Sequence, residues 1–214
     1  MSGGGRPAFT QARAWVDRPS LQFDYRGLVQ TVAPVTEPLG VDELGRHIRA
    51  VPGTEAEIEA YLIAAREYIE EVTGRQFSPA TWQATYQRFP DWEVVLPRPP
   101  LLSVVSVAYR SPSDGSLVTL ADTAYQAATT GFYGRLTPAR TTLWPEVDLQ
   151  SIEPVVITFR AGYEVMPARI KQAIRLLTAH SYEHRQIVNV GNIVTEIPQG
   201  LKMLIRSITV GGVR

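Results

Sequence analysis

The chain has 214 residues, 21 basic and 21 acidic side chains and hence no formal net charge, which disfavours a general polyanion binder. Hydrophobic residues make up 44%, so a folded core is expected and wholesale disorder is not. Cysteine is absent, which excludes disulfides, thiol nucleophiles and cysteine-based zinc or iron–sulfur sites.

Residues 1–33 show no sustained period. Gly3, Gly4, Gly5, Pro7 and Pro19 interrupt scattered aromatics, and the segment reads as an irregular arm that orders against a partner. Its opening, "MSGGGRPAFTQARAW", lacks the apolar stretch of a secretory signal. "VTEPLGVDELGRHIRA" then predicts a short helix, with Val41, Leu44 and Ile48 at helical spacing. "VPGTEAEIEAYLIAAREYIEEVTGR" predicts a long one. Thr54 with Glu57 suggests a capping box. Ile58, Leu62, Ala65, Ile69 and Val72 make one apolar stripe, Glu55, Glu59, Arg66 and Glu70 lie off it, and Gly74 suits a left-handed C-terminal cap.

From Thr81 to about Tyr163 the period changes to two. "TWQATYQRF", "WEVVL", "LLSVVSVAYR", "SLVTL", "TAYQAAT", "GRLTP" and "EPVVITFRAGY" are short strand signals, separated by breakers such as "PRPP" and "SPSDG". They predict a small antiparallel barrel or sandwich. Helical spacing returns after Pro167, through Ile170, Ala173, Ile174, Leu177, Ser181 and His184. "PQGLKMLIRSITV" predicts a last short helix before a "GGVR" tail. No run of about 18 apolar residues occurs, so no membrane span is expected. The expected class is α+β. A helical bundle of residues 34–77 and 164–208 carries a β-rich insertion of residues 78–163, between an arm of residues 1–33 and a flexible tail of residues 209–214.

Within the third helix, His180, Glu183 and His184 spell H-x-x-E-H, a pattern of one zinc peptidase class. Two histidines four apart can share a zinc ion from adjacent turns, with the glutamate as base. A catalytic zinc needs a third ligand, for which Glu196 is the nearby downstream candidate. A zinc-dependent hydrolase is therefore the alternative functional reading. The other reading is an ordinary amphipathic helix end, where a cationic His184 would meet a favourable dipole. The sequence has no P-loop and no nucleophile elbow, and "GFYGRL" lacks the third glycine of a dinucleotide fingerprint.

Several separated stretches, taken in order, resemble the head–tail connector (adaptor) family of tailed phages, prophages and gene transfer agents. They are "PVTEPLGVDELGRHIR", "EIEAYLIAAREYIEEVTGRQF", "LPRPPLLSVVSVAY", "VVITFRAGYEVMPARIKQAIRLLTAHSYEHRQIV" and "GNIVTEIPQGLKMLIRS". The resemblance runs from about Pro34 to Arg206. It departs at Ser181, where the family usually has tryptophan, and in the longer arm before Pro34.

The resemblance implies a structural, non-enzymatic virion protein without cofactor or metal. Its partners would be the portal protein, a stopper or tail-side neck protein, and about twelve copies of itself in a ring closed by rotation. DNA would pass through the channel without sequence-specific binding, and no membrane is involved. The protein would reside in the neck of a virion or phage-like particle assembled in the bacterial cytoplasm. It also implies that His180 and His184 are structural. Ile205, Arg206, Ile208, Val210, Val213 and Arg214 form the expected portal interface, because the last helix leaves its apolar residues too little chain to bury them at home.

Overall fold

A computed structural model describes residues 25–90, 92–184 and 198–209. Its helices are α1 (Val41–Ile48), α2 (Glu55–Thr73), α3 (Ala168–Glu183) and α4 (Gln199–Ile208). Its strands are β1 (Tyr25–Val32), β2 (Ala80–Tyr86), β3 (Val94–Leu96), β4 (Leu101–Arg110), β5 (Leu117–Thr119), β6 (Tyr125–Ala128), β7 (Gly134–Pro138) and β8 (Val155–Ala161). The architecture is α+β. Residues 1–24 of the expected arm, Glu196, and Val210, Val213 and Arg214 of the expected portal interface lie outside the described residues.

The helices share one apolar core. Leu44, Ile58, Leu62, Ile69, Ile170, Ile174, Leu201, Ile205 and Ile208 are all buried in it, together with Phe77. Three local features of α2 differ from the sequence expectation. Val72 is exposed, and Thr73 takes the inward position at the end of the stripe, its hydroxyl donating to the Ile69 carbonyl at 2.6 Å. The capping box does not form. The Thr54 hydroxyl turns back to the Val51 carbonyl at 2.7 Å, and Glu57 meets the Tyr61 hydroxyl instead. Most importantly, Arg66 and Glu70 are buried rather than solvated. The C-terminus of α2 is as expected: Gly74 takes φ 68°, with Arg75 N–H donating to Glu70 O and Gly74 N–H to Glu71 O.

Two antiparallel sheets form the β part, one of order β1-β2-β8-β4-β5 and one of order β3-β7-β6. Both contribute to one core: Ala84, Tyr86, Val107, Ile157 and Phe159 come from the larger sheet, Val94, Leu96 and Leu136 from the smaller. Among the described residues no ladder joins the sheets into a closed barrel. Strand β8 lies between β2 and β4, and its alternating burial follows period two. Strand β4 carries two register shifts, between Leu101 and Ser103 and between Val104 and Ser106, which bend it.

Strand β1 corrects the expectation of an irregular arm up to residue 33. It pairs antiparallel with β2 at the sheet edge. It escaped the sequence pattern because only part of it is covered and its register shifts beside Gly27. Space there is tight: a Cβ would sit 2.7 Å from Thr85 Oγ1 and 2.9 Å from Glu153 Oε1, so both side chains would have to move.

A buried joint and candidate assembly surfaces

The chain leaves the helical core after Phe77 and returns to it at Tyr163. The two crossings lie side by side, with Tyr163 N–H donating to the Phe77 carbonyl at 2.7 Å. A polar network locks this joint. Arg66 Nε donates to Glu37 at 2.8 Å and its Nη1 to Glu70 Oε2 at 2.7 Å. The other Glu70 oxygen accepts from Gln76 Nε2 at 2.8 Å and from the Phe77 N–H at 2.7 Å. Gln76 in turn donates to the Ser78 carbonyl and accepts from the Trp82 indole at 3.0 Å. Side chains on one turn of α2 thereby fix the first residues of the β part.

Burying both charges is costly, and the network offsets that cost with charge-assisted hydrogen bonds. Arg66 is 4% exposed and Glu70 6%. Burial pushes the Glu70 carboxyl above its ordinary range, against the opposing pull of the Phe77 N–H and Arg66. Burial works against the Arg66 charge too, but the Glu37 and Glu70 carboxylates overcome it and raise its pKa.

Two further stretches converge on the same place. From "LPRPP", Arg98 donates to the Glu70 carbonyl at 3.2 Å, pairs with Glu71 at 2.6 Å and lies over the Trp82 ring. The Pro99 carbonyl accepts from Gln76 N–H and that of Pro100 from Gly162 N–H, each at 3.0 Å. From "AGY", the Tyr163 hydroxyl accepts from Arg75 Nη1 at 2.5 Å, and the Arg75 guanidinium covers the Phe132 ring. Gly162 sits at φ +130°, where a Cβ would lie 2.8 Å from backbone atoms of Ser78 and Pro79. Sequence reasoning missed this joint. The available signal was the pair Arg66 and Glu70, set on the buried side between Ala65 and Thr73.

The histidine pair is placed together but engaged locally. The His180 and His184 ring centroids are 4.3 Å apart, and His184 Nδ1 lies 2.9 Å from the His180 carbonyl. Burial, then the neighbouring His184, lowers the His180 pKa, while Glu183 opposes the shift. Among the described residues no group of three or more metal-ligating side chains comes together. Tyr182, between the histidines, ties α3 to the start of α2: its hydroxyl accepts from Val51 N–H at 3.2 Å and lies 3.3 Å from the Thr54 hydroxyl.

The expected portal interface is corrected in part. Ile205 and Ile208 are each 6% exposed and belong to the helical core, so they present no surface. The cover for them comes from α2 and α3, which pack against α4 from far away in the sequence. Arg206 is exposed on the opposite side of α4. Strongly exposed apolar residues lie elsewhere, among them Trp92 at 84%, Leu143 at 90% and Ile152 at 89% on loops of the β part. Beside them Phe89 and Trp144 stack with centroids 4.5 Å apart and line an open depression of about 450 Å³. Among the described residues no helix is long and apolar enough to cross a membrane.

Comparison with known proteins places this architecture. No family model and no curated protein matches the sequence. The fold, however, is shared with chains of gene transfer agent (GTA) particles. A chain in the neck of an empty particle, computed with C6 symmetry, has a TM-score of 0.70 at 22% identity over 88% of this chain and 97% of that one. A chain in the neck of a native particle, computed with C12 symmetry, has a TM-score of 0.69 at 20% identity over 88% and 97%. A chain of the native particle's virion has a TM-score of 0.71 at 21% identity over 87% and 97%. The fold is thus one also found in chains of phage-like particles and their necks.

Proposed function

We propose that the chain is a head–tail adaptor. It forms a ring in the neck of a tailed-phage-like particle, between the portal and the next neck or tail protein, and extends the channel through which DNA passes. The observation that carries this reading is the shared fold over nearly the whole of the neck chains, in necks described with sixfold and twelvefold symmetry. The sequence motifs point the same way, and they converge on the joint rather than on a cleft. A rigid joint suits a load-bearing ring subunit, whose two halves must keep their relative orientation.

On this reading the protein needs no cofactor, is not an enzyme, touches DNA without reading its sequence and assembles in the bacterial cytoplasm. The portal contact falls to the chain end, with Arg206 at its root and Val210, Val213 and Arg214 beyond it. The zinc-hydrolase alternative rests on the spacing of His180, Glu183 and His184, and among the described residues no third ligand joins them.

The test is genetic and structural. Particles from a host lacking the gene should be unable to join tails, and a tagged chain should co-purify with particles and locate between portal and tail by electron microscopy. Normal tailed particles without the gene would overturn the proposal. So would stoichiometric zinc that is lost, along with a hydrolytic activity, on His180→Ala.

A further inference from the structure

The outer face of α2 is apolar at its C-terminal half and bordered by acids. Tyr68 and Val72, one turn apart, are both exposed. Every exposed charged residue of α2 is a glutamate: Glu55, Glu59, Glu67 and Glu71. Glu67 and Glu71 have cation partners at one edge, in Arg66 at 3.5 Å and Arg98 at 2.6 Å. Glu59 has no ion pair among the described residues.

A second feature has the opposite character. Between α1 and the start of α2 lies an open groove of about 460 Å³. Val41, Ala50, Val51 and Ile58 supply apolar lining, and Arg46 and Arg49 stand on its wall. Both arginines are exposed and without an ion pair among the described residues, and His47 is exposed beside them. Arg49 closes α1 in the left-handed conformation, at φ 52°, where glycine is the usual occupant. Asp42 and Glu55 also line the groove, but the Glu55 carboxylate already accepts from Gly53 N–H at 3.1 Å.

We infer that these two surfaces bind each other between copies of this chain: Tyr68 and Val72 of one subunit dock on the groove of the next, with its Arg46 and Arg49 facing the first subunit's glutamates. Three arguments select a second copy as occupant. The charges are complementary, acids on one surface and unpaired arginines on the other. The shapes are complementary, an aromatic side chain standing out on one and an apolar recess in the other. The surfaces also differ in position. Tyr68 is ten residues beyond Ile58, about 15 Å along α2 and roughly 80° round it. Contact between two different patches permits a head-to-tail association, which closes as a ring when the rotation between neighbours closes, as the proposed neck ring requires. The inference rests on the ring proposed above and assigns its two contacting faces.

The absence of cysteine makes the test direct. Val51→Cys and Val72→Cys place one thiol by each surface, at exposed positions outside the core. Treated with a short bis-maleimide at high protein concentration, the double variant should give a ladder of dimers, trimers and larger species. Each single variant should stay monomeric. Adding Arg46→Glu and Arg49→Glu should cut the cross-linked fraction about tenfold or more, and further adding Glu59→Arg and Glu67→Arg should restore it. Circular dichroism checks that each variant is folded. No ladder, a ladder indifferent to charge reversal, or dimers from a single variant would overturn the assignment. If the unmodified chain forms rings by native mass spectrometry while the ladder fails, the assigned faces are wrong and the adaptor reading stands. If particles form normal tailed necks without the gene, the adaptor reading itself falls.

Discussion

Glu70 Oε1 accepts the backbone N–H of Phe77 at 2.7 Å, so a side chain in the last turns of α2 holds the last residue before the chain leaves the helical core. The same carboxylate holds Arg66 and Gln76. Removing it takes the acceptor from the Phe77 N–H and from Arg66 Nη1, and leaves the buried guanidinium to Glu37 and the more distant Glu67. Glu70→Ala should therefore destabilise the fold by about 3–5 kcal/mol, measured by urea unfolding. Replacing both Arg66 and Glu70 with leucine or methionine should cost less than Glu70→Ala alone, because the charge left unpaired is then Glu37, which reaches solvent, and not a buried guanidinium.

The same residue sets a pH dependence. Burial raises the folded pKa of Glu70 above its ordinary 4.5, so the folded state holds this proton more tightly than the unfolded one. For an acid shifted upward, the stabilising contribution is complete below the unfolded pKa and is lost as pH rises through the folded one. The difference in unfolding free energy between the wild type and Glu70→Gln should thus shrink as pH rises from below 4.5, with Arg66 charged throughout. A difference that grows with pH over that range would show that the Arg66 pairing outweighs burial.

How much of this was legible in the sequence depends on what each residue's neighbours in sequence reveal. Period and breakers located α1 to α4 and most strands, because Ile58, Leu62 and Ile69, or Val155, Ile157 and Phe159, recur at the spacing their own element imposes. Edge strand β1 was hidden, since none of it is fully buried and Gly27 lies close to the Thr85 and Glu153 side chains rather than in a turn. Arg66 and Glu70 looked like surface charges because their partners, Glu37 and Gln76 among them, come from outside the helix. Ile205 and Ile208 looked like a free surface because their cover comes from distant residues of the same core. Local pattern reports a residue's own element; tertiary partners decide the rest.

Two glycines at the joint should differ in tolerance. Gly162→Ala meets backbone at 2.8 Å in a conformation hostile to L side chains, so neither neighbour can swing away. It should cost about 1–3 kcal/mol or more. Gly74→Ala, at φ 68° with ordinary left-handed geometry, should cost only about 1 kcal/mol. Thermal unfolding of the two variants side by side measures the contrast, and equal losses would argue against the close approach at Gly162.

Neighbouring positions on α4 should split in the same way. Ile208→Ala opens a hole in the helical core and should cost about 2–5 kcal/mol. Arg206→Ala, exposed and without an ion pair among the described residues, should stay within about 0.5 kcal/mol. Denaturant midpoints decide between this assignment and one that puts both residues at the surface.

The chain end tests the proposed portal contact without touching the core. Because Ile208 is buried, a truncation must spare it, and deleting residues 210–214 does so. Ordering this segment on a partner would cost about 1–2 kcal/mol per residue of backbone entropy. Burying Val210 and Val213 would return roughly 1.5–3 kcal/mol each, which falls short of that cost, so hydrogen bonds to the partner must supply the rest. A single subunit should therefore bind a portal ring weakly, and a closed ring of subunits should bind it tightly, since every tail after the first docks at high effective concentration. The deletion should leave the unfolding midpoint unchanged and abolish capture of the subunit ring on immobilised portal, with particles losing DNA through an unsealed neck. Capture that survives the deletion, at the affinity of the full chain, would move the portal contact to another surface.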